Sequence, residues 1–257
     1  MRADQFLVAN GYLPSREQAK KQIVSGDVLC DGKPIRKPSE EIPDGAHTVE
    51  IRNPMRYVGR GGWKLEAAIK RFSIDISGLT ALDIGASTGG FTDCLLQHGA
   101  SKVYAIDVGY GILHWKMRND PRVISMEKTN ARDVKTLPER IDLAVCDASF
   151  ISLRILLPVI CGWFRDEPGR FITLIKPQFE AGKEEAAKGR GVIRDPNVHR
   201  SVLENVLQSA MEFGYECRGL VRSPLLGPKG NVEFLADLRY PGKPFDAARL
   251  IDQCMKG

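Results

Sequence analysis

Residues 82–91 read LDIGASTGGF, an apolar run broken by one acid, Asp83, then a turn carrying Gly85, Gly89 and Gly90, then the start of a helix-patterned stretch. Strand, glycine turn and helix in that order bring unpaired backbone N–H groups close to a ligand, which is how a nucleotide cofactor is cradled. Asp107 ends the next apolar run 22 residues after Gly85, where a carboxylate can accept both hydroxyls of a nucleoside ribose. The Gly-x-x-x-Gly-Gly spacing departs from the G-x-G-x-x-G of dinucleotide sites, and the chain lacks a second half suited to a nicotinamide. Asp83, just before the turn, suits a cofactor with a cationic amino acid tail. S-adenosylmethionine is therefore the expected cofactor.

Outward from this turn, LTALDI, KVYAID, RVISME, IDLAVCD and RFITLIK are short apolar runs separated by helical spans, and NVEFLADLRY follows a Pro/Gly loop. Such alternation predicts an α/β domain, a doubly wound, Rossmann-like parallel sheet covered on both faces. Four ionisable residues, Lys64, Asp147, Lys176 and Glu233, fall at the edges of predicted elements, where an open sheet gathers side chains beside its ligand crevice. A lysine such as Lys176 at the end of an apolar run is costly unless paired. Each of the four alone reads as an ordinary lysine or ion-paired acid. Together they point to transfer chemistry on a hydroxyl. Asp147-Ala148-Ser149-Phe150 stands where adenine base-methylating enzymes place Asn-Pro-Pro-aromatic, which disfavours that class. Cys146, beside Asp147 in a strand, points to the opposite face and reads as core rather than as a nucleophile.

With 257 residues, 43% hydrophobic and 27% charged, the chain can bury one full α/β core plus a small module. No apolar stretch approaches the roughly 20 residues needed to span a bilayer, and no signal peptide is evident, so a cytoplasmic protein is expected. Six cysteines scattered without C-x-x-C spacing support neither a metal site nor a disulfide framework. Between residues 52 and 71 six basic residues face one acid, an excess equal to the net charge of the whole chain, +5. Tyr57 and Trp63 interleave with these cations as stacking faces, as looped RNA would require. A solvated linker is the bland alternative.

Residues 1–51 read as a separate α+β module. Ser15 with Gln18 forms a capping box, Ala19 and Ile23 give the apolar stripe of a helix ending at Gly26, and Asp31-Gly32 turns a hairpin, followed by an alternating HTVEI strand. The string MRADQFLVANGYLPSREQAKKQIVSGDVLCDGKPIRKP resembles the RNA-binding S-four domain, including Ser15-Arg16, Gly26, Val28, Asp31-Gly32 and Lys37-Pro38. That resemblance implies that Arg16, Lys20 and Lys21 face RNA. Arg56 and Arg60 would extend the grip from a basic linker at 52–62, leaving 63–257 as the second domain.

The second domain resembles the FtsJ-like ribose 2′-O-methyltransferases, and the whole chain resembles the TlyA (hemolysin A) family of ribosomal RNA methyltransferases. The resemblance rests on GASTGGFT, DVGYG, RNDPRV, KTNAR, SFISL, KPQFE and GPKGNVE. It implies a catalytic tetrad of Lys64, Asp147, Lys176 and Glu233, with Lys176 as the base. It also implies a cofactor site of Asp83, Gly85, Ser87, Thr88, Gly89, Asp107 and Asn130, with no metal. The partner would be ribosomal RNA or a ribosomal subunit. The chain begins near the module's first helix, as do shorter family members associated with a large-subunit cytidine, so that target is expected. Residues 181–196, AGKEEAAKGRGVIRDP, read as a mobile loop that closes over RNA. A non-catalytic assembly factor and a membrane-lytic protein remain the competing classes.

Overall fold

The computed structural model describes residues 1–13, 15–52, 56–164 and 167–256. They form two compact units, Met1–Arg56 and Tyr57–Gly257. Of the linker expected over 52–62, residues 53–55 lie outside the described residues.

In the first unit, α1 (Ala3–Ala9) packs against α2 (Arg16–Val24). Ser15 starts α2 in extended conformation, its Oγ accepting the N–H of Gln18 at 3.3 Å, which satisfies one of the helix's orphan donors. Strands β1 (Val28–Cys30) and β2 (Lys33–Pro34) are joined through Asp31 and Gly32, both left-handed at φ 50 and 74, the turn whose twist matches a two-residue hairpin. Strand β3 (Val49–Ile51) pairs with the other edge of β1. Ala3, Leu7, Ala19, Ile23, Val28 and Ile35 form the small core. Asp4, fully buried, receives Arg2 and Arg16, each at 3.0 Å, and these cations hold its carboxyl down at about 2.

The second unit opens with α3 (Gly61–Arg71). Its sheet is built from β4 (Thr80–Ile84), β5 (Lys102–Ile106), β6 (Val123–Met126), β7 (Leu143–Cys146) and β8 (Gly169–Ile175). Between them run α4 (Gly90–Gln97), α5 (Trp115–Arg118) and α6 (Leu153–Trp163). Short helices α7 (Pro177–Glu180) and α8 (Lys183–Lys188) and the long α9 (Pro196–Glu212) follow. Strands β9 (Glu216–Arg222) and β10 (Phe234–Tyr240) and helix α10 (Ala247–Lys256) complete the unit. The sheet order is β6-β5-β4-β7-β8-β10-β9. The first five strands are mutually parallel and β10 runs antiparallel to both its neighbours. Strand order therefore reverses between β4 and β7, which opens a ligand crevice at their carboxyl ends.

Alternation along the strands divides the core. Leu82, Ile84, Tyr104, Ile106, Ala144 and Cys146 pack with α6, α9 and α10 on one face. Ala81, Val103, Ala105, Leu143 and Val145 pack with α3 and α4 on the other. All seven residues of β8 are buried, as a central strand covered on both faces requires. Each fully buried Leu or Ile in these layers contributes about 1.5–3 kcal/mol. Cys146 lies in this core, and burial pushes its thiol up to about 12, so it is no nucleophile.

Three sequence expectations need correction. Tyr57 is 2% exposed and belongs to the core beneath α3 and α4, its ring 5.5 Å from Trp63 edge-on, so it presents no stacking face. Residues 181–196 are not an open loop. They contain α8, and Val192 and Ile193 are buried. Asn231 pins this segment, its Oδ1 accepting the Ile193 N–H at 3.0 Å and its Nδ2 donating to the Gly191 carbonyl at 2.9 Å. Finally, β9 was absent from the predicted strands and the sheet is mixed at this edge rather than parallel throughout.

Candidate active site

The turn after β4 carries the geometry that the glycines demand. Gly85 has φ +78, and a Cβ there would come within 2.9 Å of the Ala148 Cα, so only glycine lets the β4 and β7 ends close on each other. Ser87 is itself left-handed at φ 51, and its N–H donates to Asp107 Oδ2 at 2.8 Å. Asp107 Oδ1 accepts from the Gly109 N–H at 2.7 Å, so the carboxylate is fixed in direction from both sides. These groups line a cleft of about 630 Å³ at the β4/β7 switch point, with Gly85, Ser87, Asp107, Asn130, Asp147 and Phe150 on its walls. Asn130 begins a 3₁₀ turn, its side chain accepting the Arg132 N–H at 3.1 Å. Thr88 and Gly89 are placed at the α5 side of the turn. The Thr88 carbonyl accepts from His114, and a Cβ on Gly89 would meet Met117 at 2.9 Å.

Asp83, two residues before Gly85, stands behind the cleft wall rather than on it. It is wholly buried, and Thr92 Oγ1 donates to Oδ2 at 2.7 Å. Its Oδ1 is buried with no hydrogen bond among the described residues. Burial raises its carboxyl to about 7, and the charges of Asp147 and Asp107 add to the shift. Three carboxylates around a glycine turn, one with an orphaned oxygen, fit a ligand that brings positive charge next to a nucleoside.

Beside the cleft the four edge residues form two ion pairs. Lys176, the residue after β8, lies 2.6 Å from Asp147 Oδ1, a contact close enough for an ion pair but not aligned as a hydrogen bond. Its Nζ also donates to the Asp147 carbonyl and to Ser149 Oγ, both at 3.0 Å. Lys64, one turn into α3, donates to Glu233 Oε2 at 2.6 Å, and both side chains are buried. Chain neighbours bring the two pairs near each other. Gln178 Nε2 reaches Glu233 Oε1 at 3.4 Å from a position two residues beyond Lys176. At the start of α3, a Cβ on Gly61 would lie 3.4 Å from Asp147 Oδ2. Residues 169 positions apart thus share one cluster, and Asp147 opens it onto the cleft.

Three participants escaped the sequence reading. Ser149 and Gln178 are polar residues near the predicted Asp147 and Lys176, distinguished only by where their strands end. Phe150 is 91% exposed at φ 63, its ring 5.0 Å from Phe179, and lines the cleft. The signal for it was the aromatic residue three positions after Asp147. Of the residues expected to face RNA, Lys20 is exposed, Lys21 pairs with Glu17 at 2.7 Å, and Arg16 reaches Asp4. Arg56 is exposed, and Arg60 precedes the first turn of α3.

A doubly wound sheet with a glycine-turn cleft at its switch point and a lysine–carboxylate cluster beside it defines a nucleotide-cofactor transferase. Comparison with known proteins gives the particular family. Residues 57–240 match the FtsJ-like methyltransferase model and residues 1–47 the S4 domain model. A presumed rRNA methyltransferase of Bacillus subtilis, YqxC, is 44% identical over 98% of this chain and 90% of its own length. The 16S/23S rRNA (cytidine-2′-O)-methyltransferase TlyA of Mycobacterium tuberculosis is 46% identical over 93% of this chain and 89% of its own. The solved structure of a presumed hemolysin from Streptococcus thermophilus, 40% identical, superposes with TM-score 0.76 over 100% of this chain and 96% of that one. The chain belongs to the FtsJ-like methyltransferase family, with an S4 domain at its N-terminus, and its cofactor is S-adenosylmethionine.

Proposed function

We propose that this chain methylates the 2′-hydroxyl of a ribose in ribosomal RNA, at a cytidine, with the large-subunit RNA as its target, and that it works in the cytoplasm on the RNA or on a ribosomal subunit. The two buried ion pairs, Lys64–Glu233 and Lys176–Asp147, the second reaching the cleft through Asp147, carry this reading. The name of the 46% identical mycobacterial relative supports the cytidine. Among the described residues, no helix is long and apolar enough to cross a membrane.

S-adenosylmethionine supplies, when bound, an electrophilic methyl group on a cationic sulfur. Asp107 would hold its ribose, Gly85, Ser87, Thr88, Gly89 and Asn130 would shape its cradle, and Asp83 would answer its cationic tail. The remaining work is to align a weak nucleophile and take its proton. Alignment can supply roughly 7–11 kcal/mol of such a barrier. As an ammonium, Lys176 donates two of its protons to the Asp147 carbonyl and Ser149 Oγ and keeps the third beside Asp147 Oδ1, its ion-pair partner at 2.6 Å. Loss of that third proton to solvent before attack leaves a lone pair, fixed in direction by the two hydrogen bonds, that takes the hydroxyl proton as it becomes acidic. Lys64, held by Glu233, supplies positive field beside the reacting oxygen, and Asp147 and Glu233 orient the amines.

The N-terminal module over 1–51 and the linker over 52–62 would bind RNA phosphates through Arg16, Lys20, Lys21, Arg56 and Arg60. On this reading Lys176→Met lowers single-turnover methyl transfer to rRNA by about 10²–10⁴-fold while cofactor affinity stays within about twofold, measured by calorimetry. Near-normal turnover by the variant would remove Lys176 from the mechanism.

A further inference from the structure

The methyltransferase unit carries a second cleft that the chemistry above does not use. It measures about 1000 Å³ and runs along the edge strand β9, walled by the C-terminal half of α3, by β10 and by α10. Lys70, Arg71, Arg170, Arg218, Arg222 and Arg239 line it against a single carboxylate, Asp237. That carboxylate is already committed, since Arg170 holds it through Nε and Nη2 at 2.8 and 2.7 Å and Arg239 stands 3.7 Å away. Lys70 and Arg218 lean on acids outside the cleft, Glu66 at 2.9 Å and Glu216 at 3.2 Å. Arg71 and Arg222 are exposed and have no ion pair among the described residues. Burial, reinforced by the charge of Arg170, pulls the Arg239 guanidinium below its ordinary range. Cations crowded at this density repel one another unless an anion lies among them.

Charges on an edge strand also guard against strand-to-strand aggregation, and Arg218 and Arg222 on β9 suffice for that. Edge protection does not call for Lys70 and Arg71 on the facing helix. Nor does it account for the position of the cleft. Between the lining residues Arg222 and Pro224, Ser223 donates its N–H to the backbone carbonyl of Glu233 at 2.8 Å, so this end of the cleft adjoins the main chain that carries the proposed catalytic acid. From Arg222 to Arg218 the strand covers about 13 Å, a span that suits a chain of phosphates better than one.

We propose that this cleft binds the sugar–phosphate backbone of the substrate RNA where the strand leaves the target ribose. The proposal rests on reading the chain as an RNA methyltransferase. Phosphodiesters are the chemistry recognised, and the sequence of the bases is not read here.

Binding of the full-length protein to an rRNA fragment, measured by fluorescence anisotropy at several salt concentrations, tests it. The double variant Arg218→Gln/Arg222→Gln should weaken binding roughly tenfold and flatten the log–log salt slope by about 1.4, two contacts at about 0.7 each for single-stranded RNA. Arg218→Lys/Arg222→Lys should restore the slope, because a point charge suffices for a phosphate. Cofactor affinity and thermal midpoint should match the wild type. If the double variant loses its fold, Lys70→Gln/Arg71→Gln on the opposite wall provides the same reading. An unchanged affinity and slope in folded variants would overturn the proposal. So would binding of inorganic pyrophosphate that the substitutions abolish while RNA binding persists. Failure of the wild type itself to bind or methylate rRNA would instead defeat the underlying functional reading.

Discussion

If Asp83 answers the cationic tail of the cofactor as proposed, cofactor binding should depend on pH. The Asp83 carboxyl titrates at about 7 because it is buried, so it is protonated in mildly acidic solution and ionised above neutrality. Only the ionised form attracts a cationic group, so affinity for S-adenosylmethionine should tighten by roughly tenfold between pH 6 and pH 8, as the ionised fraction rises from about a tenth to about nine-tenths. Asp83→Asn should flatten that profile, and calorimetry at the two pH values checks both. A flat wild-type profile would mean that Asp83 faces no charge on the ligand. Stability of the ligand-free protein has the opposite sign. A raised folded-state value favours the protonated form, so its stabilising effect is complete below about 4 and is lost as the pH climbs through about 7. The acid itself was legible from its place before Gly85. Ser149 and Gln178 were not, because nothing in their local pattern tells which side chains converge when β7 and β8 end side by side.

Among elements, those with a strong period were readable and those defined by partners were not. The five parallel strands stood out as apolar runs. Strand β9 reads ECRGLVR, with three charged residues and a glycine, and only pairing with β10 makes it a strand. Gly219 is required there because a Cβ would strike Phe72 at 2.5 Å. The segment 181–196 misled in the other direction. Its glycines, lysines and arginines suggest mobility, while a single side chain far along the sequence, Asn231, satisfies two of its backbone groups. Asn231→Ala leaves the buried Ile193 N–H without its partner, which should cost about 2 kcal/mol and lower the thermal midpoint by roughly 4–8 °C. Amide exchange near residues 191–193 should quicken. A midpoint unchanged from the wild type would show that the segment is held by other contacts.

For the whole molecule, the sequence distinguished an RNA-binding module from a cofactor-binding domain through the change from a capped helix and short hairpin to alternating strands and helices. Less legible was the ownership of the basic stretch between them. Tyr57 and Lys64 are buried in the methyltransferase unit, so part of a run that looked like a linker is the first helix of the catalytic fold. Lys64, counted with the basic run, and Lys176, expected to be costly unless paired, both lie in interior ion pairs, and their spacing in sequence does not say which carboxylate each one takes. The central claim is that this cluster serves ribose 2′-O-methylation of a cytidine in ribosomal RNA. Mass-spectrometric mapping of rRNA from cells with and without the gene tests it most directly. A 2′-O-methylcytidine present in the parent should be missing from the deletion strain and return with the wild-type gene but not with Lys176→Met. Identical rRNA from both strains, or loss of a base methyl group instead of a ribose one, would contradict it.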